Sequence, residues 1–179
     1  MRGWWDGQDA DAMVDAMNRV PLAAGDTLLV PAGLAHAIGP GVTLVELQQP
    51  TDLSVLLERR TLTEREALLG LDLDTAIDGL VREVTPADRI HALRQGRGAE
   101  TLFPADADPF FGAERIHVAG GRELDASFSV LVVLGGSGTL QTADVTLPLR
   151  RGATVLTAHG DGPIALSGDL ELIRCLPPR

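Results

Sequence analysis

His36 is the residue whose position most directly suggests chemistry. It follows a short apolar run and a Pro31-Ala-Gly turn in the stretch GDTLLVPAGLAHAIGPG, residues 25–41. A neutral imidazole just beyond a strand and a tight turn can bind a metal ion, although the same position also suits a plain core or turn histidine. The chain has four histidines and no His-x-His pair. One imidazole alone cannot hold a catalytic zinc ion, which takes three or four protein ligands.

Three further polar residues follow His36 at short distances along the chain. Glu46 lies in the apolar run VTLVELQQP and is followed by Gln48, and Asp52 comes soon after. A strand that leaves the turn could point Glu46 and Gln48 into a barrel, where a carboxylate could transfer protons. The alternatives are an ordinary strand carboxylate for Glu46 and a turn residue at a strand end for Asp52.

The elements that must position these residues differ between the two halves of the chain. Residues 8–18 have helical spacing, with aspartates at the start where the helix dipole favours them. The runs TLLVPAG and VTLVELQQP predict strands, and residues 51–60 continue in strand-like alternation. Thr63 and Glu66 have capping-box spacing at the start of a helical region. A second short helix is predicted over residues 72–84, with Leu73, Ile77, Leu80 and Val81 facing inward.

Residues 95–109 are rich in glycine, proline and aspartate and predict a loop. Beyond Pro109 the pattern is all β: five short runs with strand character follow at regular spacing, as in a sandwich or barrel. The GGSG stretch at residues 135–138 predicts a hairpin turn. His91 and His117 are interpreted as structural residues of a helix and a strand.

Composition excludes several classes of function. The net charge of −10 argues against a nucleic-acid partner, because binding phosphates requires a basic surface. No apolar run approaches the roughly 20 residues that a membrane-spanning helix needs. The single Cys175 rules out an internal disulfide and fits a reducing compartment, so we expect a cytoplasmic protein.

The stretch GDTLLVPAGLAH resembles the second cupin motif, with Gly25, Pro31, Gly33 and His36 in place. The wider stretch NRVPLAAGDTLLVPAGLAHAIGPGVTLVELQQP resembles the catalytic cupin of type I mannose-6-phosphate isomerases. The later stretches SFSVLVVLGGSGTL and RRGATVLTAHGDGP resemble the C-terminal cupin of that family. The resemblance implies a mainly β, cupin or jelly-roll protein. It would contain the rear part of a catalytic-type cupin in residues 1–60, a helical connector in residues 61–94 and a metal-free cupin-like domain in residues 95–179.

The resemblance also implies a function. The family interconverts mannose 6-phosphate and fructose 6-phosphate with zinc, through an enediol and a proton transfer between C1 and C2. His36 matches a zinc ligand, Glu46 and Asp52 match acidic active-site positions, and Gln48 is interpreted as substrate-binding. Leu56 departs from the pattern, because many members carry an arginine there.

The other zinc ligands of the family have no counterpart in this sequence. The chain alone is therefore expected to be incomplete, and unpaired strand edges predict either a homodimer or a complementing N-terminal polypeptide. The alternative hypotheses are a non-catalytic cupin that binds a sugar or a protein, and another metal-dependent cupin chemistry such as oxygenation.

Overall fold

The computed structural model describes residues 1–49, 51, 53–94, 96 and 100–178. The described helices are α1 Arg2–Gly7, α2 Ala10–Asp15, α3 Glu64–Ala67, α4 Leu73–Asp78 and α5 Ala87–Leu93. The strands are β1 Gly112–Leu124, β2 Ser129–Gln141, β3 Thr146–Arg150, β4 Thr154–Thr157 and β5 Ile164–Leu176. Short 3-10 turns occupy Ala105–Ala107 and His159–Asp161. Among these helices, none has the length and apolar character to cross a bilayer.

The chain forms two compact units. The first, called the N-terminal unit below, comprises Met1–Asp26, Val30–Leu44 and Pro50–Ile90. The second, the C-terminal unit, comprises Thr27–Leu29, Val45–Gln49 and His91–Arg179.

Side-chain caps set the starts of the short helices in the N-terminal unit. The Asp9 carboxylate accepts a hydrogen bond from the Ala12 N–H at 3.0 Å. Thr63 and Glu66 form the predicted capping box. The predicted helix from residue 72 is shorter than expected, because Gly79 already ends α4 and Val81 is exposed rather than inward-facing. Glycine disfavours continuation of a helix, which explains this early end.

The core of the N-terminal unit is built around Trp5. Its side chain is 2% exposed and packs in a cluster with Ala67, Leu68 and Ala76. The Arg59 guanidinium lies over the indole, 5.0 Å from the ring centroid. The Gln8 side chain adds a second link, because its amide oxygen accepts a hydrogen bond from the Arg59 N–H at 2.9 Å. Trp5 is thus a packing residue.

The C-terminal unit is an antiparallel sheet in the order β1-β5-β2-β3, with β4 also paired to β2. All five strands predicted beyond Pro109 are present. The strands β1, β2 and β5 each have 13 residues, which is long for a globular protein. The shorter β4 and β3 pair with the two ends of β2, at Ser129–Val132 and Ser137–Gln141 respectively.

A β-bulge between Val133 and Gly135 decides which residues of β2 face the core. Before the bulge, the buried residues Leu131 and Val133 have odd numbers; after it, the buried Leu140 has an even number. One extra residue in a strand moves all later side chains to the opposite face. The bulge therefore lets both ends of β2 contribute to one core.

Glycines allow β2 and β5 to approach closely at their middle. Gly168 of β5 is paired with Gly120 of β1 on one side and with Gly138 of β2 on the other. A Cβ atom on Gly138 would overlap the carbonyl oxygen of Ser167. A Cβ atom on Gly168 would lie 2.5 Å from the Ser137 oxygen, and Gly168 also has a positive φ of 103°. Glycine is required here by space and by backbone conformation.

The interior of the C-terminal unit is filled by aliphatic side chains. Two partly buried residues, Ala153 and Val155, pack against it. The buried cluster contains Ile116, Val118, Leu124, Leu131, Val133, Leu140, Leu149, Ile164, Leu166, Leu170 and Leu172. Leucine, isoleucine and valine thus take the place of the scarce aromatic residues, as the composition required.

The strands predicted before residue 61 are not formed. In the described part of residues 27–60 the chain is extended or irregular, and none of it is assigned to a strand. The apolar side chains of Val42, Leu44 and Val45 are 41%, 45% and 39% exposed. A strand requires a neighbour to accept and donate its backbone hydrogen bonds. The described residues provide no such neighbour to residues 42–49.

The GGSG stretch is also not a hairpin turn. Residues 135–138 lie inside β2, where Ser137 is paired with Asp169. Adjacent glycines commonly mark turns, but here they mark the bulge and the close approach to β5.

The close approach of β2 and β5 generates a stability prediction. We expect Gly138→Ala to lower the opening free energy of this sheet by about 2 kcal/mol, because the methyl group must push the β5 backbone away. Hydrogen exchange of the β2 and β5 amides measures this unit separately from the other. Gly135→Ala is the control, since a Cβ atom there meets nothing within 4 Å. Equal protection in the two variants would contradict the steric explanation.

Candidate functional site

The turn that carries the candidate site is formed by residues 31–34. The Leu34 N–H donates to the Pro31 carbonyl oxygen at 3.1 Å, which closes a four-residue turn. Gly33, in its third position, has a φ of 79°, as a type II turn requires. The Pro-Ala-Gly sequence therefore folds locally as its residue types predict, and it places His36 immediately after the turn.

The His36 imidazole has a defined direction. Its Nδ1 atom lies 3.0 Å from the carbonyl oxygen of Leu34. Because a carbonyl oxygen can only accept, Nδ1 must carry the hydrogen in this contact. In the tautomer that makes this hydrogen bond, Nε2 carries a lone pair, and the side chain is exposed. A histidine that ligates a metal typically has this arrangement, with its other ring nitrogen bonded to a backbone carbonyl.

Helix α4 and the residues after it support this turn. The Asp72 carboxylate caps α4 by accepting from the Thr75 N–H at 2.9 Å and from the Thr75 hydroxyl at 2.7 Å. The backbone hydrogen bond from Thr75, followed by the hydroxyl hydrogen bond, lowers the pKa of Asp72 from its ordinary value. Beyond the helix, the Val81 N–H donates to the Gly33 carbonyl oxygen at 2.9 Å.

Glu46 and Gln48 are brought together as a pair. The Gln48 side-chain amide donates to the Glu46 carboxylate at 3.0 Å, and both side chains are exposed. In extended backbone, residues two apart point to the same side, which explains the contact. Glu46 and Gln48 belong to the C-terminal unit, whereas His36 belongs to the N-terminal unit. Asp52 lies outside the described residues.

The described residues do not form a complete metal site. Among them, no group of three or more histidine, cysteine, aspartate or glutamate side chains is close enough together to hold an ion. His36 suits zinc in donor type and direction, but it is a single ligand. His91 lies in α5 and His117 in β1, as predicted.

A buried arginine in the C-terminal unit was missed by the sequence analysis. Arg174 is 3% exposed and donates to the Asp125 carboxylate at 2.7 Å and to the Asp125 carbonyl oxygen at 2.8 Å. Its Nε lies 3.4 Å from the Ser129 hydroxyl, which pairs with the Thr157 hydroxyl at 2.7 Å. The signal was an arginine within the apolar strand ELIRCL, since a buried charge needs partners. This network ties β2, β4, β5 and the β1–β2 connection together.

An open cleft of about 310 Å³ lies beside Arg174. Its lining includes none of the site residues predicted from sequence. The residues that line it are Glu114, Asp125, Ser127, Arg174, Leu176, Pro177 and Pro178.

Comparison with known proteins shows which proteins the chain resembles. Residues 99–177 match the family model described as mannose-6-phosphate isomerase, cupin domain. This match and the curated relatives below support a cupin-type protein similar to the mannose-6-phosphate isomerases. The resemblance stated from the sequence agrees with these findings.

Two curated members of the family match almost the whole chain. The mannose-6-phosphate isomerase of Streptococcus mutans is 28% identical over 162 residues, covering 88% of this chain and 50% of that protein. The mannose-6-phosphate isomerase of Bacillus subtilis is 27% identical over 176 residues, covering 96% of this chain and 53% of that protein. The chain therefore spans about half the length of the curated relatives it matches.

A solved structure supports the fold. The crystal structure of a variant of phosphomannose isomerase from Salmonella typhimurium aligns with a TM-score of 0.50 and 20% identity, covering 61% of this chain and 28% of that one. The antiparallel sheet, the family model and this likeness agree on a cupin or jelly-roll fold, as predicted.

The Asp72 cap generates a prediction about pH. The lowered pKa means that the cap stabilises the fold fully above the ordinary carboxyl value of 3.8, and that this stabilisation is lost as the pH falls through the lowered pKa. We expect the thermal midpoint of Asp72→Asn to change less than that of the wild type between about pH 5 and about pH 2, because asparagine caps without titrating. Parallel curves for the two proteins would show that Asp72 does not contribute.

Proposed function

We propose that this chain forms part of a zinc-dependent isomerase that interconverts mannose 6-phosphate and fructose 6-phosphate. The observation that carries the proposal is the direction of His36, whose Nε2 is available because Nδ1 donates to Leu34. The relationship to curated mannose-6-phosphate isomerases supports the substrate. Because the chain spans about half of those relatives, the activity is proposed for the assembled protein.

The proton transfers are the part of the reaction that we assign to residues of this chain. Glu46 takes the proton from C2 of the open-chain aldose and returns it to C1, while a hydroxyl proton moves from O2 to O1. Gln48 donates a hydrogen bond to one carboxylate oxygen of Glu46, which fixes the carboxylate and leaves the other oxygen for the substrate. Asp52 is the second acidic group, proposed for the hydroxyl proton, and Gln48 also contacts the substrate.

The remaining zinc ligands must come from outside the described set. We propose that a second polypeptide supplies them, either another copy of this chain or a complementing segment of the family type. The stretch from Val42 to Gln49 supports this, because it is mostly exposed and is paired with no strand among the described residues, and exposed apolar segments favour pairing with another strand. Cys175, a half-buried free thiol, is compatible with the reducing cytoplasm that we propose as its location.

A second candidate function is a non-catalytic cupin that binds a sugar or a protein. Leu56, at the position where many family members carry an arginine, favours it. The aliphatic interior of the C-terminal unit favours it for that unit. In this reading His36 is retained from a catalytic ancestor.

Metal analysis tests the role of His36. In protein purified without chelator, we expect about one zinc ion per chain in the wild type and a loss of most of it in His36→Ala, because Nε2 is a ligand. His117→Ala is the matched control, since His117 is an exposed histidine on β1. About one zinc ion per chain in both His36→Ala and the wild type would rule His36 out as a ligand. Zinc near zero in both proteins would favour the non-catalytic alternative.

Isomerase kinetics test the role of Glu46. In a preparation that converts mannose 6-phosphate, we expect Glu46→Gln to lower kcat by about 10²- to 10⁴-fold, because the amide cannot take the C2 proton. Glu83→Gln changes an exposed carboxylate in the N-terminal unit and should leave kcat unchanged. A kcat for Glu46→Gln within a few fold of the wild type would show that another group is the base.

A further inference from the structure

We propose that the backbone of residues 79–81 positions the His36 imidazole by holding the turn to which the imidazole is bonded. This inference rests on the proposed function, in which His36 is a metal ligand. It adds residues far along the chain that set the direction of the ligand. They are positioning residues, because their effect on the metal passes through Gly33 and Leu34.

The first link is the end of α4. The Gly79 N–H donates to the Thr75 carbonyl oxygen at 3.3 Å, and the Leu80 N–H donates to the Ile77 carbonyl oxygen at 3.1 Å. These bonds extend the hydrogen-bonding of the helix past its last residue, Asp78. The helix therefore determines where the backbone of residues 79–81 lies.

The second link joins this backbone to the turn. The Val81 N–H donates to the Gly33 carbonyl oxygen at 2.9 Å. On the other side of Gly33, a Cβ atom would lie only 2.5 Å from the Gly79 carbonyl oxygen. Both contacts are with backbone atoms, which cannot rotate away as a flexible side chain could. Gly33 is thus held in place by a hydrogen bond and by close packing.

The third link leads from Gly33 to the imidazole. Gly33 precedes Leu34, whose N–H is bonded to Pro31 and whose carbonyl oxygen lies 3.0 Å from His36 Nδ1. A rotation of the backbone at Gly33 would move this carbonyl oxygen away from Nδ1. Because the His36 ring is exposed, close packing does not hold its orientation, and the bond to Leu34 does.

A second hydrogen bond also links the segment after α4 to an earlier part of the chain. The Asn18 side-chain amide donates to the Thr85 carbonyl oxygen at 3.1 Å. The segment that follows α4 therefore also contacts the residues that lead into the turn region. The segment after α4 is thus hydrogen-bonded both to Asn18, before the motif, and to Gly33 in the turn.

The tautomer of His36 provides a direct test that needs no metal. We would measure it by ¹⁵N NMR of the imidazole in the full chain with chelator present. In the wild type we expect hydrogen mainly on Nδ1. In Gly33→Ala we expect the ratio of the Nδ1–H to the Nε2–H tautomer to fall by about two- to tenfold, the effect of losing one hydrogen bond.

Gly70→Ala is the matched control for this variant. Gly70 has a φ of 80°, almost equal to the 79° of Gly33, but a Cβ atom on Gly70 meets nothing within 4 Å. Backbone strain from a positive φ is therefore similar in the two variants, and only Gly33→Ala disturbs the contact with Gly79. An equal tautomer ratio in both variants and the wild type would overturn the proposal.

A second pair of variants tests the hydrogen bond itself. Val81→Pro removes the N–H that donates to Gly33, whereas Val81→Ala keeps it, and the Val81 side chain is exposed. We expect Val81→Pro to lower the tautomer ratio by about two- to tenfold and Val81→Ala to leave it unchanged. An unchanged ratio in Val81→Pro, or a wild-type ring with hydrogen mainly on Nε2, would also overturn the proposal.

These results are distinguishable from failure of the proposed function. If His36 does not bind zinc, the metal analysis shows it while the tautomer still responds to Gly33→Ala and Val81→Pro. If the positioning proposal is wrong, the tautomer does not respond, whatever the zinc content.

Discussion

The C-terminal unit depends on the close contact between the backbones of β2 and β5 at Gly138 and Gly168. Neither position leaves room for a methyl group. Because both residues are glycine, β2 and β5 can stay paired past this point. On its other side, Gly168 is paired with Gly120 of β1. The bulge after Val133 then returns the apolar residues of β2 to the interior. The glycines therefore permit the long strand pairing, and the bulge lets the paired strands share one core.

Patterns that are local along the chain predicted the structure well. The five strands beyond Pro109 were predicted because each combines apolar alternation with a nearby turn signal. The Thr63–Glu66 capping box was predicted because its partners are three residues apart. The turn before His36 was predicted because glycine in its third position adopts a positive φ. In each of these cases, the sequence signal that predicted the element lies within a few residues.

Features that depend on distant partners were predicted poorly. Residues 42–49 have the composition of a strand, but a strand forms only when another segment pairs with it. The glycines at 135–138 have the composition of a turn, but their neighbour is β5. The buried position of Arg174 depends on Asp125 and Ser129, which belong to other parts of the sheet. The direction of the His36 ring depends on the turn at Gly33, whose backbone contacts Gly79 and Val81. The presence of a histidine was therefore predictable from the sequence, but its orientation was not.

Because its interior is aliphatic, the C-terminal unit does not need a metal ion in order to fold. Where metal ligands lie inside a small domain, the binding free energy becomes part of the folding free energy, and a chelator can unfold it. The interior cluster described here consists of leucine, isoleucine and valine side chains, whose burial depends on neither metal concentration nor pH. Removing metal with a chelator would therefore leave this unit folded.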